Sequence, residues 1–279
     1  MKDIGLLYRD FCAKREISFN QIDIVAPWDD TTLFCPAGMQ QYKDQFRDPN
    51  SKGTVANIQA CIRMNDYKEI GDGTHRIVFH MMGLFSFRDM SVKDTINFWL
   101  EFVREVLDLK IDYVTIHPDR IAWKELYPSN IEVRTDSECT WSDGEIGGYC
   151  TEFYVNGIEV GNIVNTNGDC IDVGFGLERL SDIVNESSSP DKLQSMEDAI
   201  NAIANSGYYP GKNKQGYVLR KLLRDYVKSG GNSNTPLVIQ ERERQEFVKT
   251  RYVKLKNKYP DKTKEWWFET FGIDIDDTE

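Results

Sequence analysis

The chain has 279 residues and a mass of 32.3 kDa, and 40% of its residues are hydrophobic, which is enough to bury a substantial core in one or two domains. It contains no apolar run of about 18 residues and no charged-then-apolar leader, so we expect no membrane span and no secretory signal, and predict a cytoplasmic protein. The six cysteines form no C-x-x-C pair, so we expect reduced thiols and no zinc.

The charged residues are unevenly distributed. The net charge of the whole chain is -11, yet residues 210–264 carry 15 basic and 5 acidic side chains. A basic segment on an acidic body is typical of a nucleic-acid-binding surface. A solvated helical surface explains the same composition equally well, so charge alone leaves both interpretations open.

Helical and extended patterns alternate in the first half of the chain. Residues 4–16 have the apolar spacing of a helix, and residues 17–25 begin with a β-branched run. TTLFCPAGMQQYKDQF, residues 31–46, then predicts a strand, a turn and an amphipathic helix. Residues 91–109 predict a helix with one broad apolar face, and residues 113–117 predict a strand. This order favours an α+β fold in which helices back an antiparallel sheet.

A β-hairpin with a long tip is predicted for residues 60–89. An apolar run ending at Arg63 enters a polar, glycine-containing segment, and a second β-branched run starts at Ile77. An arginine at a strand end can present its planar guanidinium to phosphate oxygens. His75 and Phe79 are four residues apart on the expected return strand, so they would share a face. The hairpin is therefore expected to hold a nucleotide.

A glycine-rich strand-to-helix junction follows at IDVGFGLERL, residues 171–180. Gly174 and Gly176 would allow close approach of the backbone to a ligand, and Arg179 could stack on a base and neutralise phosphate charge. Upstream, a strand carries Glu152 between aromatic residues, where a buried carboxylate would need a partner. Serines and a proline near residues 187–191 indicate a domain boundary.

These segments resemble motifs of the class II aminoacyl-tRNA synthetases. The hairpin is similar to the second class II motif and IDVGFGLERL to the third, while MGLFSFRD and TTLFCPAGMQQYKD are similar to segments of the alanyl-tRNA synthetases. The resemblance covers about residues 8–225. It implies a class II synthetase-like catalytic domain at residues 1–188, with an antiparallel sheet flanked by helices. A small, basic helical domain that binds the tRNA acceptor stem would follow at residues 189–279. No segment resembles the editing or C-terminal domains of the alanyl enzymes.

The resemblance also implies a site for ATP and a small amino acid. The expected nucleotide contacts, of which Arg63 and Arg179 are also the catalytic residues, are Arg63, His75, Phe79, Met39, Gly176 and Arg179. The expected amino-acid contacts are Asp172, Trp141, Glu152, Asn162 and Gly174. Asp172 would receive the α-ammonium group, and Trp141 is explained alternatively as a core aromatic residue. Mg²⁺ would arrive with ATP, and no metal site made only of protein side chains is expected.

The segment QGYVLRKLLRD, residues 215–225, is similar to the first helix of the tRNA-binding domain of the alanyl enzymes. The expected tRNA contacts are Asn213, Arg220, Lys221 and Arg224, and a solvated surface is the alternative for each basic residue. Three functions stay open. The chain could charge tRNA with a small amino acid (alanine, with glycine or serine as alternatives), pass the activated amino acid to a carrier protein, peptide or small molecule, or act as a non-catalytic binding module. The oligomeric state is open as well.

Overall fold

A computed structural model describes residues 1–72, 74–166 and 169–273 of the chain. Gly73, in the tip of the predicted hairpin, lies outside these ranges. The chain divides into two compact units, Met1–Pro190 and Asp191–Glu279. No helix in the described ranges is long and apolar enough to cross a membrane.

The first unit is built on a nine-stranded sheet with the strand order β1-β2-β3-β9-β8-β7-β4-β5, in which β6 pairs with β7. The pairs β1–β2 and β4–β5 are parallel and the others are antiparallel. This arrangement confirms the predicted α+β class with a largely antiparallel sheet. The strands are β1 (Ser18–Ile22), β2 (Gly53–Ile62), β3 (Val78–Phe87), β4 (Tyr113–Ile116), β5 (Glu132–Thr135), β6 (Thr140–Ser142), β7 (Gly147–Val155), β8 (Ile158–Thr166) and β9 (Cys170–Gly176).

Helices α1 (Ile4–Ala13), α3 (Val92–Glu101) and α4 (Leu177–Asn185) contribute to one hydrophobic core with the sheet. The apolar face predicted for residues 91–109 supplies Trp99, whose ring stacks on Phe175 of β9 with 3.9 Å between centroids. Alternate residues of a strand point to opposite sides of a sheet, so Phe175 leaves its two glycine neighbours on the other side. The core therefore fills one side of β9 and leaves the other side available for a site.

A 3₁₀ turn at Gly38–Tyr42 leads into the short helix α2 (Lys43–Arg47) and lies on the other side of the sheet. Phe46 of α2 packs edge-to-face on Phe87 of β3, with 5.1 Å between centroids. The predicted hairpin is present, because β2 pairs with β3 from Gly53↔Phe87 to Ile62↔Val78. Its long tip starts at Arg63, whose backbone N–H donates to the carbonyl of Ile77 over 3.1 Å.

The second unit is helical. Its helices are α5 (Lys192–Asn205), α6 (Lys214–Lys228), α7 (Pro236–Lys249), α8 (Tyr252–Lys258) and α9 (Lys264–Phe271). A small cluster of buried side chains around Trp267 joins α7, α8 and α9, with the Tyr252 and Trp267 ring centroids 5.2 Å apart. The unit is therefore held by its own apolar contacts.

Candidate active site

The side of the sheet opposite the core contains a cavity of about 300 Å³. Residues from the hairpin tip, β3, β6, β8, β9 and the start of α4 line it. Nine of the residues singled out in the sequence are among them, namely Arg63, His75, Phe79, Trp141, Asn162, Asp172, Gly174, Gly176 and Arg179. Three separate segments of the chain thus meet at one cavity.

Strand register explains why these side chains meet. Asp172, Gly174 and Gly176 are alternate residues of β9 and therefore point to the same side of the sheet. Asn162 of β8 lies directly opposite Gly174, which places its side chain on that side too. A Cβ atom added to Gly174 would lie 2.7 Å from the sulfur of Met81, so the lack of a side chain here leaves room for a neighbour that also lines the cavity.

Arg63 is fixed at the cavity wall by two contacts. Its Nε donates to the carbonyl of Pro36 over 3.1 Å, and its guanidinium lies over the Phe79 ring at 5.2 Å from the centroid. The backbone contact uses only one of the five guanidinium N–H donors. The remaining N–H groups are sufficient in number to bind an anion as well.

Arg179 is the third residue of α4, and it is anchored to β8. Its Nη1 donates to the carbonyl of Glu159 over 2.9 Å and lies 3.7 Å from the Glu159 carboxylate. Burial, followed by the charge of Glu152, raises the pKa of Glu159, while Arg179 and Arg63 act in the opposite direction. The charges of both arginines therefore act on the carboxylate of Glu159.

Asp172 is 7% exposed, and its burial together with Asp143 raises its pKa to about 7, with Arg63 opposing the shift. No described residue forms an ion pair with Asp172. A buried carboxylate with a raised pKa gains most from a cationic ligand, because the ligand stabilises the charged form that burial disfavours. Asp172 is thus suited to bind an ammonium group.

His75 lines the cavity, but the reason given from the sequence was wrong. β3 begins at Val78, so His75 lies in the hairpin tip and shares no strand face with Phe79. Its Nδ1 is 2.5 Å from Asp72 Oδ2, and its Nε2 is 3.4 Å from Glu69 Oε2. Both ring nitrogens thus have carboxylate neighbours, which a phosphate would have to replace.

Comparison with known proteins identifies related sequences. Residues 8–137 match the family model described as tRNA synthetases class II (A). Alanine–tRNA ligase of Endomicrobium trichonymphae is 28% identical over 281 residues, covering 74% of this chain and 32% of the relative. Alanine–tRNA ligase of Tropheryma whipplei is 30% identical over 271 residues, covering 81% of this chain and 30% of the relative. A solved pyrrolysyl-tRNA synthetase from Desulfitobacterium hafniense is similar at 12% identity with a TM-score of 0.40, covering 66% of this chain and 68% of that one.

The chain is similar to class II tRNA synthetases over residues 8–137 and to alanine–tRNA ligases over about three quarters of its length. This confirms the resemblance inferred from the motifs. The chain spans about a third of the length of the alanine–tRNA ligases it matches.

Two residues that were predicted to contact the substrates, Met39 and Glu152, do not line the cavity. Met39 is fully buried in a cluster with Phe85 and does not line the cavity, so its predicted contact with ATP is not supported by its position. Glu152 does not line the cavity either. Its carboxylate accepts hydrogen bonds from Thr115 and Tyr154 over 2.9 and 3.0 Å. Its predicted direct contact with the amino acid is therefore not supported by its position.

Sequence inspection missed two acidic residues that line the cavity. Glu159 follows a tight turn at the start of β8, and nothing in its neighbourhood distinguishes it from a surface residue. Glu178 lies in the segment that resembles the third class II motif, and its carboxylate binds the backbone N–H and Nδ1 of His80 over 2.8 and 2.7 Å. The hydrogen bond to Glu178 raises the pKa of His80. Strict alternation from Asn162 would place Glu159 on the opposite side of the sheet, and the irregularity in the β7–β8 pairing, where Phe153 pairs with Gly161 but Tyr154 with Glu159, brings it to the cavity side.

Arg224 corrects the prediction made for the helical unit. It is only 4% exposed, so it cannot follow a phosphate backbone, and its expected contact with tRNA is wrong. Its Nη1 and Nη2 donate to the carbonyls of Phe268 and Thr270 over 3.0 and 3.2 Å. Both carbonyls belong to the last turn of α9. The Phe268 carbonyl also accepts from the backbone N–H of Gly272 over 2.7 Å, whereas Arg224 supplies a donor for the Thr270 carbonyl near the helix end. Arg220 is half-buried, and Asn213 and Lys221 are exposed.

Replacing Arg224 should therefore destabilise the helical unit. We expect Arg224→Ala to speed hydrogen exchange of the α9 amides by an amount that corresponds to about 1–3 kcal/mol, because it removes a buried side chain that donates to two carbonyls of the last turn of α9. Lys221→Ala, at an exposed position of the same helix, serves as the control and should change this exchange by less than about 0.5 kcal/mol. Equal protection in both variants would show that Arg224 does not hold α9.

The stability of the synthetase domain should depend on the ionisation of Asp172. Its folded pKa of about 7 lies above the ordinary value of 3.8, so the folded state keeps a proton that the unfolded state has lost. Unfolding free energy therefore falls as pH rises between these values. Asp172→Asn removes this loss, and we expect it to stabilise the protein by up to about 4 kcal/mol at pH 8 and by much less at pH 4.

Urea unfolding of the wild type and Asp172→Asn at both pH values measures this difference. The exposed Asp10→Asn is the matched control and should change the free energy of unfolding little at either pH. The same effect of Asp172→Asn at both pH values would exclude a raised pKa.

Proposed function

We propose that this chain activates a small amino acid, with alanine as the first candidate, by reaction with ATP and then transfers it to tRNA. The observation that carries the proposal is the convergence of Arg63, Arg179 and Asp172 on one cavity. The relatives named alanine–tRNA ligase support alanine as the amino acid and tRNA as the acceptor. Residues 1–188 would form the catalytic domain and residues 189–279 the tRNA-binding domain.

The residues of the cavity are suited to ATP. Arg63 and Arg179 offer donors for phosphate oxygens, and the Phe79 ring offers a surface for a base. Mg²⁺ supplies further neutralisation of the triphosphate when bound, and Glu159 would provide a carboxylate oxygen of the kind that Mg²⁺ prefers. His75 would contact the terminal phosphate after releasing Asp72 or Glu69.

The proposed reaction forms an aminoacyl adenylate. An oxygen of the amino-acid carboxylate attacks the α-phosphorus of ATP, and the bond from this phosphorus to the pyrophosphate oxygen breaks. Asp172 would hold the α-ammonium group, with Asn162 and Trp141 beside the amino acid and Gly174 leaving room for it. Orientation contributes about 7–11 kcal/mol in favourable cases, so the site needs no acid or base of its own. The arginines stabilise the charge that develops on the phosphates.

ATP–pyrophosphate exchange without tRNA tests the first half of the proposal. We expect radiolabelled pyrophosphate to enter ATP when alanine is added, and glycine and serine are the alternative substrates to compare. Absence of exchange with all three, together with absence of ATP binding, would overturn the proposed activation. Exchange without charging of total tRNA would overturn the acceptor alone and point to another acceptor.

Replacement of basic side chains on α6 tests the second half of the proposal, which is transfer of the amino acid to tRNA. Lys221 of α6 is exposed and Arg220 is half-buried, so both can reach solvent, and we expect the double replacement by alanine to lower tRNA charging roughly tenfold through lost phosphate contacts. Pyrophosphate exchange should be unchanged, because these residues are absent from the cavity lining. Replacement of the exposed Lys93 and Lys110 by alanine controls for loss of positive charge elsewhere. Equal charging in both double variants would remove α6 from the tRNA interface.

A further inference from the structure

Two cysteines and a glutamate form a compact group beside the cavity. Cys139 directly precedes β6, and Cys150 and Glu152 lie on β7. The two sulfur atoms are 3.2 Å apart, and Cys150 Sγ is 3.8 Å from Glu152 Oε1. Both cysteines are fully buried, and the three ligand atoms lie within 4.8 Å of one another. None of the chain's six cysteines, all of which lie in the described ranges, forms a disulfide.

The separations are close to those of a tetrahedral zinc site. Zn–S bonds of about 2.3 Å and Zn–O bonds of about 2.1 Å imply roughly 3.8 Å between two sulfurs and about 3.6 Å between a sulfur and an oxygen. The observed sulfur–oxygen distance agrees with this geometry, and the two sulfurs would have to separate by about 0.6 Å.

Neighbouring hydroxyls orient the carboxylate toward the sulfurs. Thr115 and Tyr154 both donate to Glu152 Oε2, whereas Oε1 is the oxygen near Cys150. Hydrogen bonds to one oxygen of a metal-binding carboxylate fix its orientation, and such partners are a regular part of metal sites. An interaction with a cation would also offset the cost of burying a carboxylate.

The group lies on the same side of the sheet as the cavity. Cys150 is opposite Val164, which is opposite Asp172 on the next strand. Two strand spacings separate Cys150 from Asp172, which is about 10 Å. Trp141 packs against the cysteines and also lines the cavity. A metal here would therefore sit near the proposed amino-acid end of the site.

We propose that Cys139, Cys150 and Glu152 bind one Zn²⁺ ion. Two thiolates and a carboxylate favour zinc over the hard cations Mg²⁺ and Ca²⁺, which prefer oxygen ligands. Three protein ligands leave a fourth position, which a water molecule or a polar group of the bound amino acid would occupy. This inference departs from the expectation drawn from the absent C-x-x-C pair. It does not depend on the proposed ligase activity.

Metal analysis of the reduced, full-length protein tests the site. We expect about one equivalent of zinc after incubation with Zn²⁺ and removal of free metal, with release of protons as the thiols bind. Replacement of Cys139 and Cys150 together by alanine should abolish binding, and Thr115→Val should weaken it about 10–100-fold. Cys12→Ala, which alters an equally buried cysteine on α1, should bind zinc like the wild type.

Binding of Co²⁺ to the wild-type chain tests the same site, and this test does not depend on whether the variants fold. In the wild-type chain we expect sulfur-to-cobalt charge-transfer absorption, which reports thiolate ligands directly. Lack of this absorption, or zinc binding by the wild type no greater than that of the double variant, would overturn the proposal. A Cys139–Cys150 disulfide in metal-free protein isolated with its thiols blocked would overturn it too, in favour of an oxidised pair. None of these results bears on pyrophosphate exchange.

Discussion

Arg179→Ala is expected to reduce ATP–pyrophosphate exchange by at least about 100–1,000-fold. The guanidinium would contact phosphates whose charge grows in the transition state, and losing one such donor typically costs this much. Arg179→Lys should recover only part of the activity, because an ammonium keeps the charge but lacks the planar fork that binds two oxygens. Initial rates at saturating alanine and ATP, together with the Kd of ATP, measure the effect.

The control for this experiment is an arginine outside the cavity. Arg134 is exposed and paired with Glu132, so Arg134→Ala should leave exchange unchanged. Arg179 also donates to the carbonyl of Glu159, and circular dichroism of the variant will show whether β8 keeps its structure. A correctly folded Arg179→Ala protein with nearly normal exchange would refute the role assigned to this residue.

Asp172→Asn should raise the KM for the amino acid by about 100-fold or more. Removing one partner of a buried ion pair costs about 3–5 kcal/mol, and the ammonium group would lose its only charged partner in the proposed complex. The Kd of ATP should change little, because the substitution acts at the amino-acid end. Exchange rates over a range of alanine concentrations, combined with ATP titration, separate the two effects.

The pH dependence of alanine binding gives a second measurement of the role of Asp172. Since the pKa of Asp172 is raised to about 7, the wild type should bind alanine more tightly as pH rises from 6 to 8 and the carboxylate ionises. Asp172→Asn should lose this dependence, whereas the exposed Asp10→Asn should keep it. A tenfold or smaller change in KM, or an unchanged pH profile in Asp172→Asn, would remove the ion pair from the account.

The sequence predicted the parts of the site that local pattern determines. The β2–β3 hairpin was evident from two apolar runs around a polar tip, and the junction of β9 with α4 from glycines followed by a helical pattern. These elements carry Arg63, Phe79, Asp172 and Arg179, and their resemblance to the second and third class II motifs was the reason to expect a common cavity. The alternation of Gly174 with Phe175 further separates the site from the core.

The predictions that failed concern side chains whose positions are set by contacts between residues far apart in the sequence. Arg224 occupies a helix position that resembles a surface position, and only the approach of α9 makes it buried. Glu159 enters the cavity because a bulge in the pairing of β8 with β7 shifts the alternation by one residue, which residue type alone cannot indicate. Cys139 and Cys150 are eleven residues apart, yet their backbones hydrogen-bond and bring the sulfurs together. Each of these contacts requires strand or helix pairing that single-sequence patterns do not specify.

The most direct test of the convergence of Arg63, Arg179 and Asp172 on one ligand is the affinity of a non-hydrolysable alanyl-adenylate analogue, measured by calorimetry. The wild type should bind one molecule per chain, and Arg63→Ala, Arg179→Ala and Asp172→Asn should each weaken binding at least about tenfold, corresponding to 1.4 kcal/mol or more. A folded variant of any of the three that binds the analogue as tightly as the wild type would contradict a single shared site.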